Sequence, residues 1–421
     1  MTTEVEAAEL PRLSAAYWRQ WFASAISNMG DGINAAALPL LAFSLTRDSR
    51  LIAGVALVIA LPWFFLALPV GVLVDRYNRK TLMVSTNIVR AALFTGLAIT
   101  AATDILHVWL LYLLLFGVGI CEVIFDSSAQ AFLPALVEPE LLPKANGRLY
   151  MAETVTNFFL GQPFGAVLFA IAIGLPFGLN AVSFLVAALL VTSIRLRPGA
   201  LPKPVGATGV QKSFRVEIGQ SIRWLWRHRL LRTMAVMLSA ASLGGILGVS
   251  IFVQFALETL HVSQRWYGAL LALMALGAIL GGLLGDRIVK RFGRSASLRL
   301  SFIGFGVATI GIGLSPNYWF VAAFSFVDAL ATVVWNIVSV SLRQQIIPGH
   351  LFGRINSVYR WIGTGSTALG AFIGGQLAFH FNLRTPFLVG GAVFLFAFAI
   401  LGHLLSDERI DEAIAGNANA G

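Results

Sequence analysis

Gly71-Val72-Leu73-Val74-Asp75-Arg76-Tyr77-Asn78-Arg79-Lys80 decides how the rest of the chain reads. An apolar run, 51–74, leads into it, and a second run, 81–103, starts at once. A charge cluster between two membrane-length apolar segments is a tight loop at a bilayer surface. Glycine at its start lets two helices approach closely. Asp75 stands where a helix should end, and Arg76, Arg79 and Lys80 can pair with it or with lipid phosphate.

The whole chain fits that setting. Of 421 residues, 57% are hydrophobic and 12% charged. A soluble protein of this size could not hide so much apolar surface. About twelve runs are long enough to span, near 18–45, 51–74, 81–103, 108–133, 149–173, 177–194, 234–257, 267–289, 298–314, 318–342, 355–379 and 386–405. The fold class expected is an all-α polytopic membrane protein. The net charge of +10 sits in short loops beside these runs, so it serves topology and membrane lipids, not nucleic acid. Arg76, Arg79, Lys80, Lys144, Arg148, Arg287, Lys290, Arg291, Arg294, Arg343 and Arg354 fall on one side; Arg47, Arg50, Arg265 and Arg384 fall on the other. By the positive-inside rule both termini are cytoplasmic.

The acidic start, Met1–Leu10, carries no cleavage signal, so the first helix is expected to insert uncleaved. Cys121, the single cysteine, can form no intramolecular disulfide and no metal cluster. The six histidines lie in or near loops without ligand spacing. With no nucleotide or nucleophile motif either, no enzyme, metal or cofactor is expected.

The chain repeats itself. Gly282-Leu283-Leu284-Gly285-Asp286-Arg287 echoes Gly71–Arg76 at an offset of 286 − 75 = 211. Gly161-Gln162-Pro163-Phe164-Gly165 is echoed around Gly370 and Gly374, where 374 − 165 = 209. Leu133-Pro134 is echoed by Ile347-Pro348. Three echoes at about one offset imply two homologous six-helix halves, 17–196 and 233–406. A tail, 1–16, precedes them and another, 407–421, follows. The linker 197–232 begins with a Pro- and Gly-rich stretch, 198–209. It ends in an amphipathic one, with Ile218, Ile222 and Leu225 at helical spacing among Trp224, Trp226, Arg215, Arg223, Arg227 and Arg229. That pattern fits a helix on the lipid surface.

Charged side chains inside a bilayer cost about 2.5–3.5 kcal/mol each on insertion scales, so each asks for a reason. The first run carries Asn28, Asp31 and Asn34; the third Asn87 and Arg90; the fourth Glu122 and Asp126 on one face; the fifth Glu153 and Asn157. The seventh carries Gln254 and Glu258, the tenth Asp328 and Asn336. Arg90 and Asp126 lie at similar depth from the basic loops, so they are expected to pair. Structural ion pairing and proton carriage remain open alternatives for Asp126 and Glu153.

The stretch 71–80 resembles the loop 2–3 signature of the major facilitator superfamily. That family usually has glycine where this chain has Asn78; asparagine tolerates φ > 0, so the turn is expected to survive. Several segments resemble its macrolide-efflux and enterobactin-exporter branch: Gly30-Asp31 with Ala37-Leu38-Pro39, Phe125-Asp126 through Pro134, Ala145-Asn146, the Trp224–His228 region, and Arg343-Gln344 with Pro348, Gly353-Arg354 and Asn356. The resemblance implies twelve transmembrane helices around a central cavity lined by the first, fourth, seventh and tenth. It implies a bacterial inner-membrane exporter that exchanges a small-molecule substrate for protons, expected to act as a monomer. Within it, Asp31, Glu122, Asp126 and Arg90 become proton-coupling candidates. Asn34, Gln254, Asp328 and Asn336 become substrate-cavity candidates. Gly71, Asp75, Arg76 and Arg79, with Gly282, Asp286 and Arg287, become a conformational latch. The fifth helix has Gln162-Pro163 where antiporters often have Gly-Pro, and the fourth lacks the arginine of drug–proton antiporters. Siderophore export, lysophospholipid transport and a non-transporting sensor or scaffold are the rival functions.

Overall fold

The computed structural model describes residues 13–138, 141–195 and 214–418. The side chains of residues 68, 72, 75, 143, 214–218, 264–265, 349–350 and 416–418 lie outside that description, and with them Asp75 of the expected latch. So do most of the expected N-terminal tail and the linker stretch 198–209.

The described residues form helices and no strand. The first half runs α1 (Ala15–Leu45), α2 (Ser49–Arg76), α3 (Arg79–Ala102), α4 (Val108–Phe132), α5 (Leu142–Thr154), α6 (Gln162–Ile171) and α7 (Leu175–Thr192). A π-helical turn, Val155–Gly161, joins α5 and α6 into one rod. After α8 (Phe214–Arg227) the second half runs α9 (Arg229–Val249), a short α10 (Phe252–Gln254), α11 (Gln264–Phe292), α12 (Arg294–Leu314), α13 (Tyr318–Ile346), α14 (Gly349–His380), α15 (Thr385–Leu401) and α16 (Asp407–Ala418). Ten of these rods are long and apolar enough to cross a membrane. Helices α1 and α14, of 31 and 32 residues, are as long but richer in polar and small residues, and both pack among the other rods.

The turn at the opening stretch is built differently from expectation. Asn78 does not take φ > 0; it sits at φ −66°, ψ 115°, and its side chain accepts the Thr81 N–H at 3.2 Å. It ends one helix by capping the next. The equivalent turn in the second half does use a left-handed glycine, Gly293 at φ 83°. The basic residues beside Asn78 cap helix ends: Arg79 donates to the Ala131 carbonyl at 2.9 Å, and Lys80 to those of Thr192 and Ile194 at 2.8 Å. The last carbonyls of α4 and α7 have no intrahelical partner and carry partial negative charge, so cations settle there.

Glycines set the crossings inside each half. A Cβ on Gly165 would stand 2.1 Å from the Ile33 carbonyl oxygen, and one on Gly32 would stand 2.2 Å from that of Asn157. In the other half, Gly374 meets the Leu247 carbonyl oxygen in the same way, at 2.3 Å. The repeated glycine frame therefore presses α6 onto α1 and α14 onto α9. Valine at Gly165 is expected to destabilise the fold by about 1–3 kcal/mol or more, because backbone cannot yield as a side chain does. Alanine at Gly71, where nothing lies within 4 Å, should leave thermal stability in detergent unchanged. Equal losses at the two sites would contradict this account.

On the amphipathic helix, the described side chains of the apolar face pack on protein, while Ile218 lies outside the described side chains. Leu225 is fully buried, in one cluster with Leu230, Leu231, Met234 and Ile355, and Ile222 and Trp224 pack against that cluster. Helix α8 rests on α14, leaving Trp226 exposed.

Candidate functional site

Acidic side chains from three rods of the first half gather near one cation. Arg90 of α3 is 2% exposed, and its Nη2 lies 3.4 Å from Asp31 Oδ1 on α1. The guanidinium also stacks over Phe184 at 4.1 Å. Its ion-pair partner is thus Asp31, not the expected Asp126. Depth along a helix fixes how far in a residue lies but not which neighbouring rod it faces. Asp126 remains in the electrostatic field of Arg90 and Glu122, and Asp31 in that of Glu122 and Glu153. Asp31, Glu122 and Asp126 are half-buried and Glu153 is exposed. Behind it Asn34, Asn87 and Ser128 are buried, with polar atoms that find no partner among the described residues.

The halves are pressed together at the end away from the basic loops. Ser49 Oγ donates to Gln254 Oε1 at 2.7 Å, and Gln254 Nε2 donates to the Arg47 carbonyl at 2.9 Å and to Glu258 Oε2 at 3.0 Å. Arg47 lies 3.7 Å from Glu258. Asp48 caps α2, and the Arg50 side-chain hydrogen bonds hold its carboxyl below the usual carboxylate range. Beside this network is a recess of about 430 Å³ lined by Arg47, Gln254, Phe379 and Arg384. A Cβ on Gly268 of α11 would stand 3.2 Å from the Pro163 carbonyl oxygen of α6. A Cβ on Gly375 of α14 would stand 3.1 Å from the Ser49 carbonyl oxygen. Further along the α2–α14 seam, Phe64 stacks on Trp361 at 5.2 Å, and Arg360 lies over Trp63 at 4.8 Å.

The other expected residues divide. Gln254 is 4% exposed and joins the inter-half closure, where it also borders the recess. Asn34 is buried at 3% exposure. Asn336 is exposed, and Asp328 is half-buried with no ionic partner among the described residues. Gly71 and Gly282 stand clear of other helices, and Arg76, Asp286 and Arg287 are exposed. Sequence reading missed Arg360, Trp63, Phe64 and Trp361. A cation one helical turn inside an apolar run, Arg360 after Asn356, was the available signal.

A family model described as transmembrane secretion effector matches residues 10–419. The multidrug efflux pump Tap of Mycolicibacterium fortuitum is 24% identical over 387 residues, 87% of this chain and 90% of that one. The enterobactin exporter EntS of Citrobacter koseri is 26% identical over 344 residues, covering 80% of this chain and 77% of that one. The solved inward-facing, occupied structure of a bacterial homologue of the human lysosomal transporter Spinster superposes with a TM-score of 0.71 at 14% identity, over 93% of this chain and 97% of that one. The chain belongs to the transmembrane secretion effector family, on the efflux and exporter branch of the major facilitator superfamily.

Proposed function

We propose that the protein is a proton-coupled secondary exporter of bulky amphipathic or lipophilic compounds, cations foremost. The acidic wall of Asp31, Glu122, Asp126 and Glu153, with Arg90 and Arg360 as the cations acting on it among the described residues, carries this reading. Carboxylates lining a transport path can exchange a proton for a cationic substrate, since only the deprotonated carboxylate attracts the cation. The similarity to Tap supports a drug-like substrate. The similarity to EntS supports a siderophore, but an acidic wall repels an anionic one.

Alternating access would rock 17–196 against 233–406, with the basic loops, both termini and the open side of the cavity facing the cytoplasm of a bacterial inner membrane. The closure around Gln254 then makes this the inward-facing state. Asp75, Arg76 and Arg79, with Gly71 now clear, would latch the opposite state together with Gly282, Asp286 and Arg287. The protein would work as a monomer among membrane lipids.

A proton entering the cell releases about 2.3 kcal/mol per 100 mV. Everted vesicles carrying the protein should therefore accumulate tetraphenylphosphonium when acidified inside, and an uncoupler should abolish it. Accumulation that ignores the uncoupler would exclude proton drive.

A further inference from the structure

Arg360 is a C-terminal-half residue that makes its recorded ring contact with the N-terminal half. Its guanidinium lies 4.8 Å from the centre of the Trp63 ring on α2. Trp63 packs against the cluster of Val70, Val74 and Val123, and Val123 neighbours Glu122 on α4. The Arg360 charge acts on Asp126 and on Glu153. The next residue, Trp361, stacks on Phe64 at an interplanar angle of 16°, which holds this turn of α14 against α2. Gly365, one turn on, lets Phe64 approach: a Cβ there would stand 3.0 Å from the ring. Arg360 is exposed, so its head is held by a ring face and by charge, not by burial.

The two cations of the site therefore differ. Arg90 is buried, belongs to the same half as the acids and is ion-paired with Asp31. Arg360 is exposed and comes from the opposite half. The acids its charge acts on are Asp126 from α4 and Glu153 from α5. An exposed guanidinium on an aromatic face is attracted by only about 0.5–1 kcal/mol, so it can be displaced.

We propose that Arg360 is a specificity-determining counter-ion: it occupies the place of a cationic substrate before the acidic wall, and such a substrate must displace it. This rests on the exporter reading above and adds to it which residue the substrate competes with. Displacement would also free α14 from α2, joining cation binding to movement of the halves.

Two measurements on the full-length protein in detergent test it. The first uses no substrate. Thermal shifts of Arg360→Gln, Asp126→Asn and the double variant form a cycle, with Arg360→Lys as a charge-keeping control. The double variant should shift less than the sum of the singles, because either substitution alone removes the same charge contact. Additive shifts overturn the proposal, whatever the protein transports. If Arg360→Gln does not fold, Arg360→Met takes its place in the same cycle, keeping an apolar stem beside Trp63 while removing the charge, and additive shifts again overturn the proposal.

The second measures binding of tetraphenylphosphonium. Arg360→Gln should bind it about tenfold more tightly, as expected for removing one like charge from a partly exposed site. Unchanged affinity in a variant that binds, beside a wild type that binds, overturns the competition. If neither protein binds the cation while the cycle is non-additive, the counter-ion stands and the cation-export reading fails.

Discussion

Asp31→Asn should lower the stability of the folded protein by about 3–5 kcal/mol, the cost of stranding a buried charge. Arg90 is 2% exposed, so without Asp31 its guanidinium is left buried and unpaired. Asparagine can still accept a hydrogen bond but brings no negative charge to it. The reverse substitution, Arg90→Leu, should cost less. The Asp31 side chain is 29% exposed, so losing its partner strands it less completely than it strands Arg90. Removing both should cost less than the sum of the singles. The measurement is thermal or denaturant unfolding in detergent for the wild type, both singles and the double. Equal, additive losses would mean that the 3.4 Å contact organises nothing. The same Asp31→Asn protein should fail at uphill transport in vesicles. Glu122→Gln separates the two effects, because Glu122 has no ion pair among the described residues and is half-buried. It should fold normally, yet fail to drive uphill tetraphenylphosphonium transport in vesicles. Transport identical to wild type would move proton coupling to Asp126, Glu153 or Asp328.

The limits of the sequence show in single residues. The rods were legible because apolar runs of spanning length and the charge clusters between them have few other readings. The glycine frames were legible because three echoes shared an offset, and the structure puts Gly165 and Gly374 on equivalent crossings. Asn78 misled because tolerance of φ > 0 is a permission, and an asparagine before a helix has a stronger use as its cap. Arg90 was seen, but its partner was not. Partner choice depends on which rods are neighbours, and α3 packs on α7 and α4 while its arginine reaches across to α1. Gln254 looked like a cavity residue on its helix. Only Ser49 and Arg47, over two hundred positions earlier in the chain, reveal it as part of a closure. On α8, Leu225 is buried against protein and Ile222 packs beside it, since amphipathicity names an apolar partner without saying whether it is lipid or protein.

Gln254→Leu is expected to open the end of the molecule that is now closed. The side chain is 4% exposed, and its amide bridges the halves through Ser49 Oγ at 2.7 Å and the Arg47 carbonyl at 2.9 Å. Each such bond contributes a net of about 0.5–1.5 kcal/mol, and a polar partner left buried without one costs about 1–3 kcal/mol. Ser49, itself 5% exposed, would be stranded in the closed state but can reach water once the halves part. Together these terms favour opening by about 2–4 kcal/mol, roughly a 30- to 1000-fold change in the equilibrium. Leucine keeps the apolar volume, so the helix itself should survive. Glu258→Gln should do far less. Its contact with Arg47 is 3.7 Å long, and Arg47 is 63% exposed. An exposed ion pair of that kind contributes about 0–1 kcal/mol. Both variants can be followed by distance measurements between labels in the loops at 103–107 and 315–317, one in each half, in protein whose Cys121 is replaced by serine. The long-distance population should dominate in Gln254→Leu and change little in Glu258→Gln. If Gln254→Leu leaves the distribution as in wild type, the closure is held instead by the close packing of Gly268 on Pro163, where α11 meets α6.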